Sequence, residues 1–163
     1  MRLSTLALFL TSLLLHVVVH AADLQRLPDK IVRIVDGDTL VLEAEGIRHR
    51  VRLAGIDAPE RNQPWGQAST RELRRQVAGE PIVVDWYKRD RWERVIGIVR
   101  LNGEDVNLHL VDRGLTWHYM RYADEQMQQD RDAYAKAEKT VRAARRGLWS
   151  DPEPVPPWEW RKR

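Results

Sequence analysis

Two apolar, β-branched runs, residues 31–35 and 39–44, are followed closely by a third, 47–53, in which apolar and polar positions alternate, so three strands are expected in quick succession. Asp36-Gly37-Asp38 reads as the hairpin turn between the first two, and Glu45-Gly46 turns the chain into the third. In that third run Ile47, His49, Val51 and Leu53 alternate with Arg48, Arg50 and Arg52, which predicts one face toward a core and a row of arginines on the other. The period then changes. Over 65–77, Ala68, Ser69, Leu73 and Val77 form a helical stripe, with Gly79 as its stop. Residues 81–87 and 95–101 return to a strand pattern, and Asn102-Gly103 marks the turn after them. Two more helices are expected: 107–113, stopped by Gly114, and 124–146, with Met127, Tyr134, Ala137, Val141 and Ala144 on one stripe and Gly147 beyond its end.

Five strands with a helix after the third and helices at the end predict an α+β chain, a five-stranded OB-fold β-barrel with about three helices, because the early strands follow too closely for βαβ crossovers. Ahead of it, Arg2, the uncharged apolar run 3–19 and Val19-His20-Ala21 read as a signal peptide cleaved after Ala21. An uncleaved anchor is the alternative, the run falling just short of the roughly 18 to 20 apolar residues that span a bilayer. The expected organisation is a signal peptide (1–21), one OB-fold domain (22–150) and a Pro/Trp-rich tail (151–163) whose Trp158 and Trp160 pack it back onto the domain. A periplasmic or secreted monomer follows, with no stable membrane association after cleavage.

Composition narrows the chemistry. The absence of cysteine excludes a thiolate metal site, a cysteine nucleophile and disulfides. Histidines 49, 109 and 118 lack zinc-like spacing and are expected to be packed or surface residues. Lys and Arg number 27 against 24 Asp and Glu, so net charge does not argue for a nucleic-acid partner. Arginine far outnumbers lysine; its planar fork suits phosphate, although coding composition produces the same bias.

Three strings carry the candidate chemistry: DGDT (36–39), RLAGIDAPE (52–60) and DRWER (90–94). A turn accounts for Asp36 and Gly37 but not for Asp38 at the head of a strand, which points to a ligand role. Pro59 biases Ala58 toward an extended conformation and puts Asp57 and Glu60 on an irregular loop. Strict alternation would place Arg52 and Asp57 on opposite faces, so a bend around Gly55 and a turn at Ala58-Pro59 are required for both to address one pocket. Together the strings supply two carboxylates suited to a hard cation such as calcium, a third carboxylate able to accept a proton and two guanidiniums able to clamp a phosphate: a metal-dependent phosphodiesterase.

In this order and at these separations, with Gly114-Leu115 and Gly147-Leu148-Trp149-Ser150 following, the strings resemble the staphylococcal nuclease (thermonuclease) family over about residues 31–150. The resemblance implies an OB barrel with three helices and calcium-dependent hydrolysis of DNA and RNA to 3′-phosphate ends. It assigns calcium to the carboxylates of Asp38 and Asp57 and the main-chain carbonyl of Ala58, base catalysis to Glu60, and the phosphate to Arg52 and Arg94. Of the aromatics after Gly114, Tyr122 is the expected substrate contact, with Tyr119 as another stacking candidate and Trp117 suited to the core. Ala58 stands where many relatives have threonine, which a carbonyl ligand tolerates. Trp92-Glu93-Arg94 stands where the family usually has Tyr-Gly-Arg; an extended backbone is expected there, with Glu93 diverging from Arg94. The alternative function is an OB-fold module that binds nucleic acid or a protein without turnover.

Overall fold

A computed structural model describes residues 25–163, and of residues 25–32 only the backbone. The expected signal peptide and mature start at Ala22 lie outside the described residues. Among the described residues no helix is long and apolar enough to cross a membrane.

The fold is mixed α+β. The chain runs through β1 (Gln25–Ile34), β2 (Thr39–Ala44), β3 (Ile47–Leu53), β4 (Ile56–Asp57), α1 (Gly66–Val77), β5 (Ile82–Arg89), β6 (Val95–Leu101), β7 (Glu104–Asp105), α2 (Val106–Asp112), β8 (Trp117–His118), a 3₁₀ turn (Met120–Glu125), α3 (Gln128–Ala143), a second 3₁₀ turn (Gly147–Ser150) and α4 (Pro157–Trp160). All five expected strands form. The order β3-β2-β1-β5-β6-β7 is antiparallel between neighbours, and β3 also pairs in parallel with β6, Val51 opposite Val95 and Leu53 opposite Gly97. That pairing sets Arg52, on β3, beside the strand that follows the Arg94 turn.

Strand β1 begins earlier than expected. Its first half, Gln25 to Asp29, pairs with β5, and its second half, Lys30 to Ile34, pairs with β2 through a register irregularity between Ile31 and Arg33. Pro28 and Asp29 look like breakers, yet both lie in the run paired with β5. The expectation for β3 holds in its second half: Val51 and Leu53 are buried, whereas Ile47 is exposed where the strand runs out past the core.

One core lies inside the curled sheet and under the helices. Leu40, Leu42, Val51, Leu53, Val84, Val95 and Val99 meet Leu73 and Val77 of α1, Leu110 and Val111 of α2, and Tyr134 of α3. Each such buried side chain contributes roughly 1.5–3 kcal/mol. Polar ties fix the helices to the sheet: Asp105 caps α2 by accepting from the Leu108 amide and also accepts the hydroxyl of the fully buried Tyr134. Helix α3 is shorter than the expected 124–146. Met127 caps it with an extended ψ and is exposed, and Ala144 is the exposed C-cap, so of the stripe only Tyr134 and Val141 are fully buried, with Ala137 packed at the edge.

Helices α1 and α2 are joined at Glu72. Its carboxylate accepts from Arg75 at 2.6 and 2.9 Å and from Gln76 at 3.2 Å, and lies 2.8 Å from His109 Nε2. The Arg75 hydrogen bonds, opposed by burial and aided by His109, hold this carboxyl down at about 2 against an ordinary 4.5. A depressed folded value stabilises the fold above the ordinary value and loses that stabilisation as pH falls toward the depressed one. The urea midpoint is therefore expected to fall between pH 4.5 and 2, less steeply in Glu72→Gln. Identical slopes in the two proteins would remove Glu72 from the acid response.

Candidate active site

The site is assembled by a bend that one glycine permits. Gly55 has φ +72, a region other residues enter at a cost, and a Cβ there would lie 2.1 Å from the Gln126 side chain. The bend turns the chain from β3 into β4, which pairs with β8: Ile56 opposite His118, Asp57 opposite Trp117. It is pinned from beneath by buried Asn107, whose amide donates to the carbonyls of Ala54 and Gly97 while its oxygen accepts from the Val99 amide. Arg52 and Asp57 thus reach one pocket, as the alternation rule required of any shared site.

Arg52 Nη2 lies 2.8 Å from Asp57 Oδ1 and 3.2 Å from Asp38 Oδ2, while Nη1 donates to the carbonyls of Leu53 and Ile56, both at 2.8 Å. Asp38 also accepts the Thr39 hydroxyl at 3.0 Å and, across twenty residues of sequence, the Ala58 amide at 2.7 Å. Asp38 and Asp57 are 6% and 2% exposed, so two carboxylates are held together away from water. Burial raises the Asp57 carboxyl, with Arg52 opposing and the Asp38 charge adding to the rise. Asp36, which turn geometry alone explained, faces the same cleft, and burial together with the Asp38 charge pushes it up to about 6. This crowding of buried negative charge, from oxygen donors alone, fits a hard divalent cation. Among the described residues no cluster of three Asp, Glu, His or Cys side chains is poised on a metal, so two carboxylates would need carbonyl and water oxygens to complete the shell.

Glu60 is placed by the start of α1. A Cβ at Gly66 would sit 1.8 Å from the Glu60 carbonyl oxygen, a contact only glycine allows, and Gln63 both accepts from the Glu60 amide and donates to its carbonyl. The Glu60 carboxylate is partly exposed and opens on the same cleft, of about 790 Å³. Arg94 is there too, its Nε and Nη2 2.8 and 2.7 Å from Asp90 Oδ2. Tyr119 and Tyr122 also line the cleft, ring centroids 5.7 Å apart, with Lys88 5.4 Å over the half-exposed Tyr122 ring. Trp117 belongs to a second buried cluster with Val141, Leu148 and Trp149. The three histidines bond to Arg89, Glu72 and Gln126 rather than to one another.

The extended backbone expected at Glu93 does not form. Glu93 has φ +59 in a turn in which its amide donates to the Asp90 carbonyl and the Asp90 carboxylate accepts from the amides of Trp92 and Arg94. Asp90 organises this turn, and its hydrogen bonds imposed the left-handed residue that β-alternation did not foresee. The Glu93 side chain is exposed, and the carboxylate that holds the Arg94 guanidinium is Asp90. Left-handed backbone costs an ordinary residue roughly 1–2 kcal/mol, part of which glycine's own entropy offsets. Glu93→Gly is therefore expected to stabilise the fold by about 0.5–1 kcal/mol in urea titration while changing turnover less than about tenfold. Loss of stability would show that the turn is unstrained.

One residue of the site has no counterpart among those expected. Arg161, just beyond α4, places Nη2 2.8 Å from Asp57 Oδ2 and Nη1 2.7 Å from Glu60 Oε1. Near it, Trp158 lies 5.5 Å from Trp117 and 5.4 Å from Tyr119. Nothing in WEWRKR signals where the arginine after Trp160 points.

Residues 50–151, which hold the Gly55 bend, Glu60, Arg94 and the aromatic wall, match the family described as staphylococcal nuclease homologue. An uncharacterized endonuclease of Escherichia coli is 38% identical over 82% of this chain and 84% of its own length, and one of Haemophilus influenzae is 34% identical over 96% and 85%. The staphylococcal-like nuclease CAN1 of Arabidopsis thaliana is 39% identical over 71% of this chain and 34% of its own. With the match spanning the Gly55 bend, Glu60 and the turn before Arg94 together, the chain belongs to the staphylococcal nuclease family.

Proposed function

We propose that the chain is an exported, calcium-dependent nuclease that hydrolyses phosphodiester bonds of DNA and RNA to 3′-phosphate products, acting as a monomer in the periplasm or outside the cell. The observation that carries this reading is the convergence of Asp38, Asp57, Glu60, Arg52 and Arg94 on one cleft. Endonuclease and nuclease names among the relatives support the reaction class. The β3–β6 pairing and strand order support taking the curled sheet as the family's OB barrel.

Asp38 and Asp57 would hold calcium, with the Ala58 carbonyl beside them; the bound ion would polarise a phosphoryl oxygen and offset charge developing on it. Glu60, on the open side of the cleft, takes a proton from the water that attacks phosphorus as the P–O5′ bond breaks, and the departing 5′-oxygen takes a proton from solvent water. Arg94 turns from Asp90 to the phosphate, and Arg52, whose Nη donors are engaged, orients Asp38 and Asp57 and meets the phosphate through its remaining edge. Tyr122 offers a face for base or ribose stacking. Retention of ligands, base and both arginines in one cleft favours turnover over a binding-only module. Digestion of plasmid DNA and of RNA by the purified protein, with end-group analysis, tests the reading: 3′-phosphate ends are expected, and 5′-phosphate ends would exclude it.

A further inference from the structure

We infer that the C-terminal tail is a displaceable plug of this site, in which Arg161 competes with the cation for Asp57 and with the attacking water for Glu60; the inference rests on the calcium site proposed above. One guanidinium spans two carboxylates whose tasks require that they be free. Arg161 holds Asp57 Oδ2 and lies 3.5 Å from Oδ1, which Arg52 also holds, so both oxygens of this buried side chain face guanidinium groups.

For Asp57 to bind a cation, one arginine must yield. Arg52 is 14% exposed and fastened to two carbonyls of its own loop, whereas the Arg161 side chain is 45% exposed and follows the single-turn helix α4. Arg161 is therefore the one that leaves. A divalent ion arriving beside it adds like-charge repulsion to the loss of its partner.

The rest of the tail need not move. Trp158 packs on Trp117 and Tyr119, the Gln63 amide donates to the Val155 carbonyl at 2.6 Å, and Trp160 Nε1 donates to Asn62 at 3.3 Å. These anchors keep the guanidinium close to the site after release, at high effective concentration, so that loss of the cation restores the plug. Coupling of this kind is reciprocal: the factor by which Arg161 weakens calcium is the factor by which calcium weakens the tail's hold.

Calorimetric titration of the mature protein with calcium alone, repeated on Arg161→Gln and Lys162→Gln, tests this. Arg161→Gln is expected to bind about tenfold more tightly, within the usual 5- to 150-fold range of such couplings, and Lys162→Gln as the parent does. Saturable binding with an equal or weaker affinity in Arg161→Gln overturns the plug and leaves the calcium site standing. No calcium binding by any of the three proteins overturns the site itself, and the plug with it.

Discussion

Asp57→Ala is expected to abolish calcium binding and to reduce phosphodiester cleavage to background. Asp57 is one of only two carboxylates proposed for the cation, and at 2% exposure no water-filled neighbour can take its place without rearrangement. Its removal also leaves Arg52, 14% exposed, without its nearest carboxylate, and breaking a buried pair from one side typically costs about 3–5 kcal/mol. The alanine variant could therefore fail by unfolding. Asp57→Asn, which keeps the shape and one acceptor oxygen, separates the two causes: a folded Asp57→Asn without calcium affinity assigns the loss to the ligand. Calorimetry and turnover on the same preparation make the check, and undiminished calcium affinity in the asparagine variant contradicts the assignment.

The second large effect is a separation of binding from chemistry at Glu60. Glu60→Gln should lower turnover by about 10² to 10⁴, the usual span of general-base catalysis, while calcium and nucleotide affinity stay within a few-fold of the parent. The amide keeps the length and one acceptor but cannot take the water's proton. Its position is fixed by main-chain contacts with Gln63 and by the close approach of Gly66, none of which the substitution touches. Single-turnover cleavage with a saturating oligonucleotide isolates the chemical step. Normal single-turnover rates would move the base elsewhere.

Much of this site was legible in the sequence because its determinants are local. Strand alternation forbade Arg52 and Asp57 a common face unless the chain bent near Gly55, and Gly55 bends it. Asp38, in excess of what the turn needed, faces the cleft. What escaped depends on contacts that no local pattern encodes. The left-handed Glu93 follows from Asp90 accepting amides two and four residues on, and a glutamate gives no hint of it. The first half of β1 is extended through pairing with β5, a partner more than fifty residues away, in spite of Pro28. Strands β4 and β8, two residues each, exist because they meet each other across about sixty residues. Arg161 is the extreme case: it enters the site through the seating of Trp158 and Trp160 on the body, a tertiary event settled a hundred residues from the carboxylates it joins.

Cleavage of plasmid DNA measured in calcium, in chelator, and in chelator followed by excess calcium tests the central claim most directly. A cation-dependent base mechanism in this cleft predicts cleavage in the first, none in the second, and full recovery in the third. Cleavage undiminished by chelator, or none in calcium from a folded protein that binds the ion, would contradict it.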